Sequence, residues 1–140
     1  MIHRYNIGIV IVTYNRLECL KKCIDLILQQ TYKNTKIFLI DNCSNDGTEE
    51  YCYNLVKHYC EKIDYHRLDE NMGGSFGFCY GMKAAVKQGC EFVWGMDDDA
   101  YPNKDALEIL IKNAEKHGIY DNGFWSNINS HKEYVPGGGG

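Results

Sequence analysis

Short apolar runs rich in β-branched residues alternate along this chain with longer segments whose apolar residues recur at helical spacing, and few folds accept that alternation. Ile7 to Thr13 is apolar almost without a break, so it is expected as a strand covered on both faces. Leu17, Leu20, Ile24, Ile27 and Leu28 then draw one apolar stripe along a helix ending near Gln30, with Asn15 as its N-cap and Glu18 three positions on. Lys36 to Asp41 reads as the second strand, followed by the turn-forming run from Asn42 to Gly47. Asp46 and Glu49 are expected as the capping box of a helix that buries Tyr51, Leu55, Val56 and Tyr59. Ile63 to Leu68 forms a third strand, and Ser75 to Gln88 a helix with Gly89 at its C′ position. Glu91 to Met96 is the fourth strand. Pro102-Asn103 opens a last helix carrying Leu107, Leu110, Ile111 and Ala114 and closed by Gly118, and Gly123 to Asn129 begins one more strand.

Strand, helix, strand, helix implies an α/β fold: a mostly parallel, Rossmann-like sheet with helices on both faces. In such sheets ligands bind beyond the carboxyl ends of the strands. Thr13-Tyr14-Asn15, Asp41-Asn42 and Asp97-Asp98-Asp99 all fall at ends of that kind. A chain of 140 residues holds one compact domain, assigned to residues 1–135, and the Gly-rich stretch 136–140 is expected to be a flexible tail. Net charge is −4 with no block of Lys or Arg, which argues against nucleic acid as a partner. Ile9 to Val12 is far too short to cross a bilayer or to serve as a signal-peptide core, so a cytoplasmic location is expected. The seven cysteines form no CxxC pair and read as free thiols in a reducing compartment.

The acidic triplet carries the most chemistry. In extended backbone Asp97 and Asp99 point to one side and Asp98 to the other, and a pair spaced this way can hold a divalent cation. Mg²⁺ or Mn²⁺ suits such oxygen ligands, with substrate phosphates completing the shell. The competing reading is a solvated turn of helix-capping acids. Asn71-Met72-Gly73-Gly74 places glycines just ahead of a helix, where backbone N–H groups can face an anion, although the spacing matches neither a dinucleotide fingerprint nor a Walker loop. Asp41 can accept hydrogen bonds from a base or ribose, or else cap the Ser44 to Gly47 turn. Tyr14 can stack on a base. His58, His66 and His117 have no partners at ligand spacing.

Val12-Thr13-Tyr14-Asn15-Arg16, Asp41-Asn42-Cys43-Ser44-Asn45-Asp46-Gly47-Thr48, Asn71-Met72-Gly73-Gly74 and Asp97-Asp98-Asp99, in that order, closely resemble the family-2 inverting glycosyltransferases of the GT-A fold. The Asn-x-Gly-Gly loop and triple Asp look like the galactofuranosyl- and rhamnosyltransferase branch. The resemblance spans roughly residues 6 to 115. It implies that Thr13 and Tyr14 line a nucleotide pocket, that Asp41 reads a pyrimidine base, and that Asn71, Gly73 and Gly74 border the donor ribose and sugar. It also implies Asp97 and Asp98 in the donor site, and Asp99, with Asp97, on a Mg²⁺ or Mn²⁺ that bridges the donor diphosphate.

The implied activity is inverting transfer of a sugar from a UDP- or dTDP-sugar to a glycan or lipid-linked hydroxyl, by a full-length enzyme that associates peripherally with membranes. Such transfer needs a general base. Asp105, Glu108 and Glu115 fall in the helix after the metal motif, and Asp121, His131 and Glu133 match no family motif. The acceptor half is therefore expected to be missing. The alternative is a nucleotide-sugar-binding module or partner-dependent subunit without turnover. A phosphoacceptor receiver domain is disfavoured, because it would need an acidic pair where Thr13-Tyr14-Asn15-Arg16 stands.

Overall fold

The computed structural model describes residues 5–116 and 124–126. The strands are β1 (Ile7–Thr13), β2 (Thr35–Asp41), β3 (Ile63–Arg67), β4 (Phe92–Asp97) and β5 (Phe124–Ser126). Between them run α1 (Leu17–Leu28), α2 (Thr48–His58), α3 (Gly74–Lys87) and α4 (Ala106–Lys116). The strands form one five-stranded sheet in the order β3-β2-β1-β4-β5, and every pairing is parallel.

The pleat divides the core in two. Ile7, Ile9 and Ile11 of β1 face the side carrying α1, α2 and α4, where they meet Leu20, Ile24, Cys52, Leu107 and Ile111. Val10 and Val12 face α3, together with Phe38 and Ile40 of β2 and Ala85. All seven residues of β1 are buried, which is what a central parallel strand requires and why its sequence does not alternate. Helix α3 lies unusually close to the sheet. A Cβ added at Gly81 would stand 2.3 Å from Val10 Cγ1, and one at Gly77 would stand 2.8 Å from Val12 Cγ1. Glycine at both positions lets α3 settle onto β1, bringing its N-terminal turn to the carboxyl edge of the sheet.

Three helix starts differ from the expectation drawn from local sequence. Asn15 does not cap α1: its φ is +50°, and Arg16 occupies the N-cap position without a side-chain cap bond. The cap comes from far along the chain, because Leu17 N–H donates to Asp46 Oδ2 at 3.0 Å. The same carboxylate accepts from Thr48 N–H (3.2 Å) and the Thr48 hydroxyl (2.6 Å) through Oδ1, so it ties the starts of α1 and α2 together. Glu49 is thereby not needed for a capping box and pairs with Arg67 Nε at 2.8 Å. On α2, Thr48 and Cys52 are the fully buried residues, while Tyr51, Leu55, Val56 and Tyr59 are half-buried.

Helix α4 begins at Ala106 rather than at Pro102. The Gln30 side chain organises that start, donating to Asn103 C=O at 2.7 Å and accepting from Leu107 N–H at 3.2 Å. Gly118 and the tail lie outside the described residues, as do Asp121, His131 and Glu133. All seven cysteines are free thiols. Among the described residues no helix is long and apolar enough to cross a membrane.

Candidate functional site

Parallel register puts the strand ends level. Thr13 stands opposite Asp41, Asp41 opposite Arg67, and Val12 opposite Asp97. From β1 the chain moves outward through β2 to β3, then returns across the sheet to β4 on the other side of β1. The topological switch point is therefore the gap between β1 and β4, where open α/β sheets hold their ligands. The segments Thr13-Tyr14-Asn15-Arg16 and Asp97-Asp98-Asp99 meet there.

The extended backbone expected through the triplet stops at its first member: Asp97 ends β4, and Asp98 and Asp99 lie in a turn closed by Ala100 N–H donating to Asp97 C=O at 3.1 Å, with the three residues exposed, buried and exposed in order. Asp98 is 2% exposed and accepts from the Thr13 hydroxyl at 2.9 Å. Burial pushes its carboxyl above the ordinary range, and the Thr13 bond and the Arg16 charge partly offset that. Thr13, itself 1% exposed, and Asp98 thus face each other rather than solvent, so the geometry gives them the role of bracing the β1–β4 gap. Asp97 and Asp99 remain open. Arg16 bridges two of the three acids, with Nε 3.6 Å from Asp98 Oδ1 and Nη1 3.1 Å from Asp99 Oδ2. Asp98 foremost, with Asp99 adding, holds the Arg16 guanidinium above its usual pKa.

Asp41 is also buried, at 0% exposure. Its Oδ1 accepts from Ser44 N–H at 2.9 Å, while Oδ2 accepts from the Tyr65 hydroxyl at 2.6 Å and Arg67 Nη1 at 3.3 Å. Arg67 Nη1 also donates to Ser44 C=O at 2.7 Å, and its Nη2 lies 3.5 Å from Cys43 Sγ. The carboxylate that the resemblance assigned to a base is covered here by Tyr65 and Arg67. What faces outward is the half-buried Arg67 guanidinium that it anchors. Tyr14, in contrast, is exposed at the mouth of the gap.

The Asn71 to Gly74 loop is held from two sides. Asn71 Oδ1 accepts from Gly73 N–H at 2.9 Å, closing a short turn. Asn42 reaches across from the end of β2, accepting from Met72 N–H at 3.2 Å and donating to Gly73 C=O at 3.3 Å. Gly73 has φ +85°, a conformation that favours glycine, and the first turn of α3 receives no side-chain cap from it. The start of α3 is thus uncapped by any side chain and is held beside the carboxyl end of β2 by Asn42.

Sequence reasoning therefore found Tyr14, Asn71, Gly73, Gly74, Asp97 and Asp99 at one edge, with Thr13, Asp41 and Asp98 beneath it. It gave no role to Arg16, Asn42, Tyr65 or Arg67. Arg67 fell within the expected third strand, but its register with Asp41 is visible only in the sheet. His66 pairs with Asp64 (2.8 Å) and lies beside the Tyr80 hydroxyl (3.2 Å). Of the acids considered as general base, Glu108 accepts from the Thr31 hydroxyl at 2.8 Å and Asp105 lies just ahead of α4.

The residues present fit a hard divalent cation. Asp97 and Asp99 offer two exposed carboxylates at the carboxyl end of β4, the number Mg²⁺ commonly takes when phosphates complete its shell. Among the described residues no group of three or more His, Cys, Asp or Glu side chains forms a ready metal cage, so further ligands would have to come from the substrate.

The family model for glycosyl transferase family 2 matches residues 8–134. Among curated relatives, galactofuranosyltransferase GlfT1 of Mycobacterium tuberculosis (strain H37Rv) is 33% identical over 114 residues, covering 79% of this chain and 36% of that protein. GlfT1 of Mycolicibacterium smegmatis is 29% identical over 120 residues, or 85% of this chain and 38% of its own length. The chain thus spans somewhat more than a third of these relatives. Among solved structures, the mannosyltransferase PcManGT of Pyrobaculum calidifontis, in complex with GDP-Man and Mn²⁺, superposes with a TM-score of 0.67 at 22% identity, covering 79% of this chain and 32% of that one. Residues 1–349 of S. aureus TarS in complex with UDP superpose with a TM-score of 0.63 at 24% identity, covering 81% of this chain and 33% of that one. At these identities the two structures establish the fold, which is GT-A.

Proposed function

The chain belongs to glycosyl transferase family 2, and on that premise we propose that it is the donor half of an inverting, metal-dependent glycosyltransferase that takes a UDP- or dTDP-sugar. The observation that carries this reading is the sharing of one carboxyl edge by Tyr14 after β1, the Asn71 to Gly74 loop held by Asn42 at the end of β2, and the two open carboxylates Asp97 and Asp99 at the end of β4. Solved neighbours bound to UDP and to GDP-Man with Mn²⁺ support it.

In this reading Tyr14 stacks on the base, and Arg67, anchored by Asp41, borders the base end of the pocket. The N–H groups leading into α3 face the ribose and sugar, held in place by Asn71 and Asn42. Asp97 and Asp99 would hold Mg²⁺ or Mn²⁺, which would supply positive charge beside the leaving diphosphate. Thr13 and Asp98 brace the gap beneath. An acceptor hydroxyl on a glycan or lipid carrier attacks from the opposite face and inverts the anomeric carbon. Residues 1–135 form this donor part, and the base that activates the acceptor is not assigned to any described residue.

A second reading is a nucleotide-sugar-binding module without turnover, since no described residue is assigned as general base. Titration with UDP, dTDP, GDP and ADP in the presence of Mn²⁺ tests what both readings share. Preference for the pyrimidine diphosphates supports it, and failure of all four to bind overturns it. Acceptor-dependent transfer by this chain would exclude the second reading.

A further inference from the structure

Arg16 carries a consequence that its bridge between Asp98 and Asp99 makes specific. Its Nη1 lies 3.1 Å from Asp99 Oδ2, one of the oxygens a divalent cation would use, and its Nε lies 3.6 Å from the buried Asp98. The side chain is half-exposed (54%) and leaves the N-cap position of α1 without needing to disturb the core. Among the described residues this guanidinium is the cation that ion-pairs with the triplet, and Asp98 also accepts from the neutral Thr13 hydroxyl and the Tyr14 backbone.

We propose that Arg16 couples the metal to the diphosphate, neutralising Asp99 while the site is empty and transferring to a phosphate oxygen when the nucleotide and metal arrive together. The claim rests on the donor-site reading above and adds an order to it. A cation arriving alone must displace Arg16 from Asp99 and then share the site with an unpaired positive charge. A diphosphate arriving with the cation offers that guanidinium a bidentate partner of matching shape. Arg16 thereby penalises the bare metal and favours the metal–nucleotide pair. Because binding free energies are reciprocal, it raises the affinity of each for the other by the same factor. Its role is to position and to couple; it touches no reacting atom in this account.

Titration of Mn²⁺, followed by the paramagnetic signal of the free ion, tests this with and without saturating UDP and needs no turnover. The native chain is expected to bind Mn²⁺ weakly alone and about 5- to 150-fold more tightly with UDP, the usual span of coupling between sites. Arg16→Gln is expected to bind Mn²⁺ alone about two- to fivefold more tightly, the range that an exposed ion pair allows, while the gain on adding UDP shrinks. Arg16→Lys, which keeps the charge but not the fork, is expected to fall between the two. It also serves as the second variant should Arg16→Gln melt early. Unchanged or weaker binding of bare Mn²⁺ in Arg16→Gln, with UDP coupling intact, would overturn the proposal and leave the donor site standing. Absence of Mn²⁺ binding to every form, with or without UDP, would overturn the metal reading and this inference together.

Discussion

A single turn after β4 separates the buried carboxylate of Asp98 from the open carboxylates of Asp97 and Asp99. Chemically the three are identical, so their different fates come from where the turn after β4 places them, with Asp98 turned in against Thr13. Asp98→Ala removes the acceptor of a buried hydroxyl and is expected to cost about 1–3 kcal/mol of stability, the penalty for leaving a buried polar group unpaired. Chemical denaturation measures that directly, and Asp99→Asn should leave the same curve nearly unmoved. Asp41 behaves as Asp98 does. Asp41→Ala should lower stability and also weaken UDP more than inorganic pyrophosphate, because Arg67 loses its anchor at the base end. Equal losses for the two ligands would reduce Asp41 to a structural acid. The sequence made these carboxylates visible as candidates but could not show their burial. Burial depends on Tyr65 and Arg67, which reach Asp41 from 24 and 26 residues away.

At the scale of elements, the strands and helices were legible because continuous apolar runs and 3.6-residue stripes survive tertiary packing. Helix starts were not. Asn15 and Glu18 satisfy the local capping pattern, yet Asp46 caps α1 across 29 residues, and no local rule contains that contact. Gln30 does the same for α4 across 77 residues. Burial pushes the Asp46 carboxyl upward, but bonds from the Thr48 hydroxyl, Leu17 N–H and Thr48 N–H together hold it below the ordinary carboxylate range. A folded-state pKa below the unfolded one means that this carboxylate contributes stability above its unfolded value of about 3.9, lost as pH falls through the folded value. Acid titration should therefore show a shallower loss of stability below about pH 4 in Asp46→Asn than in the native chain. At neutral pH Asp46→Ala should cost about 1–2 kcal/mol, as cap removals do. The close seat of α3 offers a separate check. Gly81→Ala gains helix propensity but drives its methyl into Val10, and net destabilisation of about 1–3 kcal/mol is expected from overpacking. A more stable Gly81→Ala would show that α3 can lift from β1 without penalty.

The whole molecule is a parallel sheet whose chain order turns at β1, and the ligand edge follows from that turn. Because the donor edge is built from described residues and no general base is assigned among them, donor binding and sugar transfer are measured separately. This chain is expected to hydrolyse a bound UDP-sugar slowly with Mn²⁺ and to show no acceptor-dependent acceleration. General-base assistance alone is worth about 10² to 10⁴ in rate, and acceptor orientation adds to it. The most direct test of the central claim is calorimetric titration of UDP into the chain with Mn²⁺, with chelator, and with Mn²⁺ in Asp99→Asn. The account predicts saturable binding in the first case and affinity reduced at least about tenfold, or about 1.4 kcal/mol, in the other two. Equal affinity in all three would contradict it.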